Sequence, residues 1–161
     1  MRTITVTQPA LINSSLILSE AAGTEGKVAF AGLLKRSAHL DLGNQRIDFT
    51  TLGLLGRAVR ARAADGTTIG EFHQTGILGR GYAAIDGRRY RLRISGVLSR
   101  RFSWVDAHGT EAVRLTLGGV LRTSGVVHVA DSAVPDDVAV LIGLGLIARR
   151  ASESGSAAAA T

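Results

Sequence analysis

Cysteine is absent from the 161 residues of this sequence. The chain therefore has no disulfide framework, no thiolate ligand for zinc and no cysteine nucleophile. Proline occurs only twice, whereas glycine occurs 20 times, and this balance favours short strands joined by tight turns. A chain of this length can form one domain whose core needs no covalent or metal support.

Long hydrophobic runs are also lacking. The longest run without a polar side chain extends from Val138 to Ala148, and it falls well short of the roughly 20 residues that a transmembrane helix needs. Near the N-terminus, the apolar stretch Leu16 to Leu18 is too short for the core of a signal peptide. We therefore expect a cytoplasmic protein without a transmembrane segment. Nothing in the sequence indicates its oligomeric state.

Positive charge exceeds negative charge, with 19 basic and 13 acidic residues and a formal net charge of +6. All but two of the basic residues are arginine, which suits bidentate contacts with flat anions. The charge therefore favours an anionic phospholipid surface, an acidic protein or nucleic acid as partner. Nucleic acid is disfavoured, because only seven aromatic residues are present and those with a clear strand position fall on core faces, where they cannot stack with bases.

Apolar residues recur at every second position from about residue 2 to 130, which is the period of half-buried β-strands. The clearest run is Arg89 to Ile94, in which one face is apolar and the other is basic. Asp-Gly turns at Asp65-Gly66 and Asp86-Gly87, and a longer turn from Asp106 to Gly109, join such runs into hairpins. About ten to twelve short antiparallel strands fit this spacing, which predicts a barrel or a sandwich.

The pattern changes at Pro135, after which the apolar run begins, and it ends at Arg149-Arg150. A helix over 136–150 is predicted, with acidic residues at its start and basic residues in its last turn, as the helix dipole favours. Because this helix is apolar on all sides, we expect it to be buried inside the protein. The Ser/Ala/Gly-rich segment 152–161 is predicted to be a disordered tail, so residues 1–151 form the single domain.

Two glycine-rich segments resemble phosphate-binding loops, but neither has the other sequence features that such a loop requires. The run from Gly143 to Ala148 lacks the following strand and acidic residue of a dinucleotide-binding unit. Its glycines are instead expected to let the helix backbone approach the strands closely. The run Gly76 to Gly81 has no Lys-Ser or Lys-Thr pair and no helix after it, which favours a wide turn. No cofactor is predicted.

The order of these features resembles the tubby C-terminal-like superfamily, which includes the LURP-one-related proteins and the phospholipid scramblases. The resemblance covers nearly the whole chain and depends on the hairpins with Asp-Gly turns at Ala64–Gly70 and Val105–Gly109, followed by the apolar helix Asp136–Arg150. It implies an all-β fold with one helix: an antiparallel barrel of about twelve strands that encloses a C-terminal hydrophobic helix.

Function follows less directly from this resemblance. Tubby proteins bind phosphoinositides through basic residues, and scramblases act on membrane lipids. This chain lacks the proline-rich N-terminal region and the cysteine clusters of the scramblases. No phosphoinositide motif aligns with it residue by residue, so no family binding site is assigned here.

Catalytic and metal sites are not indicated by the sequence. The four histidines are widely separated and show no zinc-binding spacing. His39 and Asp41 would share one strand face, but no third ligand accompanies them. No Gly-x-Ser-x-Gly nucleophile motif is present, although a triad assembled from distant strands stays open as an alternative. We expect a non-enzymatic binding or scaffold module without a metal.

The remaining candidate site is electrostatic. Arginines project from several strand faces. If neighbouring hairpins merged these stripes, they would form a surface for anionic lipid headgroups, and whether the stripes form one patch stays open. Two other interpretations stay open: a protein-interaction domain whose arginines only face water and discourage edge pairing, and an enzyme with an unrecognised site. The candidate anion-binding residues are Arg60, Arg62, Arg89, Arg91, Arg93, Arg100 and Arg101.

Overall fold

The structure is a computed structural model that describes residues 1–9, 15–23, 25–31, 37–53, 57–75, 80–96, 100–119 and 122–159, with side chains described as far as Glu153. Twelve strands precede one helix. In chain order they are β1 (Arg2–Thr7), β2 (Ser15–Glu20), β3 (Glu25–Ala31), β4 (Ser37–Leu42), β5 (Gln45–Leu52), β6 (Ala58–Ala63), β7 (Thr68–Gln74), β8 (Gly81–Ile85), β9 (Arg88–Ser95), β10 (Arg100–Val105), β11 (Glu111–Gly118), β12 (Ser124–Val129) and α1 (Pro135–Ala159).

The strands form one closed antiparallel barrel. Each strand pairs with its neighbours in sequence, and β1 pairs with β12 from Arg2 opposite Val129 to Thr7 opposite Ser124. Closure leaves no strand edge free to pair with another chain. The predicted fold class, an antiparallel barrel of about twelve strands with a C-terminal helix, is confirmed.

The helix α1 lies inside the barrel. Its residues from Val138 to Leu146 are buried and join one core with the inward side chains of the strands. Gly143 faces Phe49 of β5, and Gly145 faces Leu115 of β11. Since β5 and β11 are six positions apart in the ring of twelve strands, contact with both means that the helix passes through the lumen. The prediction that this apolar helix is buried is confirmed.

The turns largely follow the predicted chemistry. Asp86 and Gly87 have φ angles of 46° and 76°, as a two-residue type I′ hairpin turn requires. The Asp65-Gly66 pair does not form a two-residue turn of this type, because it lies in a longer loop. The Gly66 N–H donates to the Ala63 carbonyl at 2.9 Å, and the pairing register shifts between Ala61 and Arg62, so the bulge adds one residue to this hairpin.

The helix extends beyond its predicted end. It continues past Arg150 to Ala159, so the described part of the segment predicted to be a disordered tail is helical. Arg149 forms an ion pair with Glu153 four residues later, at 2.7 Å, and alanine has a high helix propensity. The two arginines are therefore internal to the helix. Among the described residues, no helix has the length and hydropathy required to cross a membrane.

Candidate functional site: an arginine groove

Among the described residues, a basic depression of about 660 Å³ follows β9 and β10. Arginine side chains line it, together with the hydroxyl-bearing residues Thr75, Ser95 and Ser103. We call it the arginine groove and define it by four exposed arginines. They are Arg80, Arg91, Arg93 and Arg101.

Strand register explains how the groove forms. Arg91 and Arg93 alternate with the buried Leu92 and therefore point away from the core. In the neighbouring strand, Ser103 lies directly opposite Arg93, and Arg101 lies opposite Ser95. Small serine side chains thus stand beside long arginine side chains on the outer face, and this difference in length produces the concave surface.

The groove has unpaired positive charge. Among the described residues, its four arginines form neither ion pairs nor side-chain hydrogen bonds. The carboxylate that lines the depression belongs to Glu111, which lies 3.0 Å from the Nε atom of Arg114. Guanidinium groups without carboxylate partners can form charge-assisted hydrogen bonds to phosphate or carboxylate oxygens, so the groove is suited to an anion with several oxygens.

The structure brings only three of the predicted residues into the groove, which are Arg91, Arg93 and Arg101. Arg60 and Arg62 lie on β6, which is separated from β9 by β7 and β8, or about 14 Å at normal strand spacing. The arginine stripes therefore do not form one patch, a question that the sequence left open.

Acidic and aromatic groups occupy the surface between the two stripes. Glu71 of β7 accepts a hydrogen bond from Arg60 at 2.7 Å, and this guanidinium lowers the pKa of the Glu71 carboxyl. Arg62 lies opposite Asp48 in the strand register. Arg89 stacks on the ring of Tyr82 at 3.8 Å and lies outside the groove. Arg60 and Arg89 are therefore engaged by local partners outside the groove.

Arg100 is a further correction to the predicted set. It shares the inward direction of Phe102, and its guanidinium donates to the Ser152 hydroxyl of α1 at 2.7 Å. Adjacent residues in a strand point to opposite faces, so Arg100 and Arg101 cannot act together on one surface. Arg80, which the sequence interpretation omitted, takes its place in the groove. The sequence feature that could have identified Arg80 was its position directly before the predicted strand that begins near Tyr82.

A second polar feature joins the start of the helix to β9. Asp137 is buried and accepts two hydrogen bonds from Arg88, at 2.7 and 2.8 Å, and a third from the Tyr90 hydroxyl at 2.6 Å. Contact with Asp137 raises the pKa of Arg88 above its usual range. The sequence predicted only a dipole interaction for this aspartate. Its main contacts are instead with a strand 47 and 49 residues away.

This cluster borders a second depression, of about 590 Å³. Its lining includes Arg46 and Arg88, but also Asp86, Asp136 and Asp137. Since Arg88 is already bound to Asp137 and the remaining charges have both signs, this depression lacks the preference for anions that the arginine groove has. We assign it a structural role around the ion cluster.

The pKa of Tyr90 yields a test of this cluster. Burial, followed by the hydrogen bond to Asp137, raises the Tyr90 pKa from 10.0 to about 12. A raised tyrosine pKa means that the folded state favours the neutral phenol. The associated stability is complete below pH 10 and is lost as the pH rises through 12. We expect the free energy of unfolding to fall by about 2 to 3 kcal/mol over this interval.

Denaturant unfolding of the native chain, Tyr90→Phe and Tyr82→Phe at intervals from pH 9 to 12 measures this effect. Tyr90→Phe is expected to flatten the profile, whereas Tyr82→Phe, at a half-buried surface position, is expected to keep it. An equally steep fall in Tyr90→Phe would show that another group causes the alkaline loss.

The histidines do not form a site with several ligands. The Nδ1 atom of His39 contacts Asp48 of β5, while the Asp41 carboxylate lies 3.8 Å from Arg46. His39 and Asp41 share the outward face of β4, as expected, but each contacts a different partner, so they do not form a ligand pair. Within the part of the chain that the structure describes, no group of three or more His, Asp or Glu side chains is arranged to hold a metal ion.

Within the described part of the chain, the fold and the groove define a closed β-barrel with a central helix and a concave basic surface. Comparison with known proteins adds no relative: no family model, no curated protein and no solved structure matches this chain.

Proposed function

We propose that this protein is a non-enzymatic binding module that associates peripherally with anionic membrane lipids through the arginine groove. The observation that supports this most directly is the grouping of Arg80, Arg91, Arg93 and Arg101 around one depression without carboxylate partners among the described residues. Each arginine held near an acidic leaflet contributes about 1 kcal/mol of attraction.

The proposal includes a tubby-like or LURP-one-like relationship and a cytoplasmic location. Its support is the number of strands and the central apolar helix, which are the features that the resemblance implies. The cytoplasmic leaflet carries anionic lipids, which a basic groove would meet there.

An acidic protein is the alternative partner, because carboxylates and phosphates both accept hydrogen bonds from guanidinium groups. We favour lipid because charged and hydroxyl-bearing side chains predominate in the groove lining, whose apolar residues are Leu92, Ile94 and Val105, two of them already buried. Specific protein interfaces usually contain an apolar or aromatic centre, and the described lining of the groove includes no aromatic residue.

Sedimentation with vesicles tests the proposal. The native chain is expected to bind vesicles that contain phosphatidylserine, to ignore vesicles of phosphatidylcholine alone, and to dissociate at high salt. The variant Arg91→Gln/Arg93→Gln/Arg101→Gln is expected to bind about 100-fold more weakly, since three attractions of about 1 kcal/mol are lost.

The matched control is Arg46→Gln/Arg62→Gln/Arg89→Gln, which also removes three positive charges and lowers the net charge from +6 to +3. These arginines are exposed and lie outside the groove. Equal weakening in both variants would mean that net charge alone causes binding. Absence of binding to acidic vesicles by the native chain would refute the lipid proposal and favour an acidic protein.

A further inference from the structure

The depression beside the ion cluster lies at the end of the barrel where the helix begins. Its walls are the β4–β5 turn with the start of β5, the loop between β6 and β7, the β8–β9 turn and the first turns of α1. Its volume of about 590 Å³ is typical of small-molecule sites, which measure roughly 300 to 1,000 Å³. The structural role of the ion cluster accounts for Arg88 and Asp137, but it leaves most of the lining unexplained.

A β-bulge contributes apolar surface to this depression. The register shift between Ala61 and Arg62 leaves Ile69 of β7 without an opposite residue. The side chain of Ile69 is only partly buried, and it lines the depression. The barrel wall meets the helix at the next residue, because a Cβ atom on Gly70 would lie 3.3 Å from the Cγ1 atom of Val140. The depression therefore ends against the packed core.

Apolar side chains form the floor of the depression. Ile47, Ile85 and Val140 close it from below and are themselves buried. Ile69 and Ala63 also line it and are only partly buried. A floor of this kind attracts the apolar body of an organic molecule rather than a hydrated ion.

The charges around the depression disfavour an anion. Three aspartates and two arginines line it, so carboxylates are in excess although the whole chain is basic. Arg88 is bound to Asp137, and the Nε atom of Arg46 lies 3.8 Å from Asp41, a carboxylate outside the depression. Both arginines therefore have a carboxylate neighbour, in contrast to the four arginines of the groove.

One carboxylate stays available for a cation. Asp136 is exposed and has no ion-pair partner among the described residues. Asp86 is 84% exposed, and its contact with Arg88 is long, at 3.4 Å. The hydroxyl groups of Thr67 and Thr68 add neutral acceptors to the same lining. A protonated amine has three N–H donors, which a carboxylate and neutral oxygen atoms satisfy together.

We propose that this depression is a binding site for a small organic cation, in which a protonated amine contacts Asp136 and an apolar body lies on the floor beside Ile69. The site goes beyond the proposed function and does not depend on it, since the described linings of the depression and of the arginine groove share no residue.

Titration of the isotope-labelled full chain, followed by nuclear magnetic resonance, tests the proposal with two molecules of nearly equal size. Tryptamine has a protonated amine on an indole, and indole-3-propionate has a carboxylate on the same ring. Tryptamine is expected to shift the backbone amide signals of Arg46, Thr68 and Ile69, with a Kd of about 1 mM or lower. Indole-3-propionate is expected to bind at least about tenfold more weakly. Methylamine, which lacks the apolar body, is expected to leave these signals unchanged.

Three variants locate the bound amine. Asp136→Asn is expected to weaken tryptamine binding about tenfold, because a charge-assisted hydrogen bond is lost. The matched control Glu25→Gln removes the same charge at an exposed position outside the depression, and it is expected to keep the native Kd. Ala64→Phe adds a ring to the lining at an exposed position, and it is expected to abolish binding by filling the space. Thermal unfolding checks that each variant is folded.

Several outcomes would overturn the cation site. These are equal affinity for the two indole compounds, an unchanged Kd in folded Asp136→Asn or Ala64→Phe, and amide shifts confined to β9 and β10. The lipid proposal is judged separately by the vesicle experiment. Failure of vesicle binding leaves this inference intact if tryptamine binds as expected, and failure of tryptamine binding leaves the arginine groove as it is.

Discussion

Replacement of Asp137 with alanine is expected to lower the free energy of unfolding by about 3 to 5 kcal/mol. The carboxylate is buried and accepts hydrogen bonds from Arg88 and Tyr90. Its removal leaves the buried Tyr90 phenol without its partner, and an unpaired buried group is costly. The partly exposed Arg88 guanidinium keeps only the longer contact with Asp86, at 3.4 Å. Denaturant unfolding, monitored by circular dichroism, measures the loss.

Two comparisons make the Asp137 experiment specific. Asp136→Ala removes the neighbouring carboxylate, which is exposed in the same helical turn, and it is expected to cost only about 0.5 kcal/mol through the helix dipole. Asp137→Leu/Arg88→Met/Tyr90→Phe replaces the whole cluster with apolar groups and is expected to recover much of the stability. A loss in Asp136→Ala as large as that in Asp137→Ala would contradict this account.

The period of two along the chain was sufficient to predict the strands and their faces. Tyr90 and Leu92 are buried while Arg91 and Arg93 are exposed, as alternation requires. The same alternation places Arg100 and Arg101, which are adjacent in β10, on opposite faces of the sheet. The sequence interpretation treated this pair as one charged unit and therefore placed Arg100 on the wrong side of the sheet.

Contacts between distant strands were beyond the reach of periodicity. The burial of Asp137 depends on Arg88 and Tyr90, which precede it by 49 and 47 residues, and no local pattern encodes that distance. The groove depends similarly on Arg80, which directly precedes β8 and lines the groove together with residues of β9 and β10. The end of the helix was missed for a local reason. Arg149-Arg150 resembled the basic last turn of a helix, whereas Arg149 forms an ion pair with Glu153 one turn further along the same helix.

The close fit of the helix in the barrel predicts a further large effect. Gly143→Val is expected to reduce the free energy of unfolding by about 3 kcal/mol or more. A Cβ atom on Gly143 would lie 2.2 Å from the Cζ atom of Phe49, whose ring is buried. The steric cost exceeds any gain in helix propensity on removing glycine, which is at most about 1 kcal/mol. Denaturant unfolding is again the measurement.

A double-mutant cycle with Phe49→Leu identifies the contact as the cause. Leucine lacks the ring atoms that a Gly143 Cβ would meet, so Phe49→Leu/Gly143→Val is expected to be more stable than the sum of the two single losses predicts, by about 1 to 2 kcal/mol. Ala151→Val, at an exposed position of α1, measures the cost of valine in the helix alone, about 0.5 kcal/mol. Strict additivity in the cycle would mean that Phe49 does not limit the space at Gly143, and the helix would then have to be held in the barrel by contacts other than this close approach.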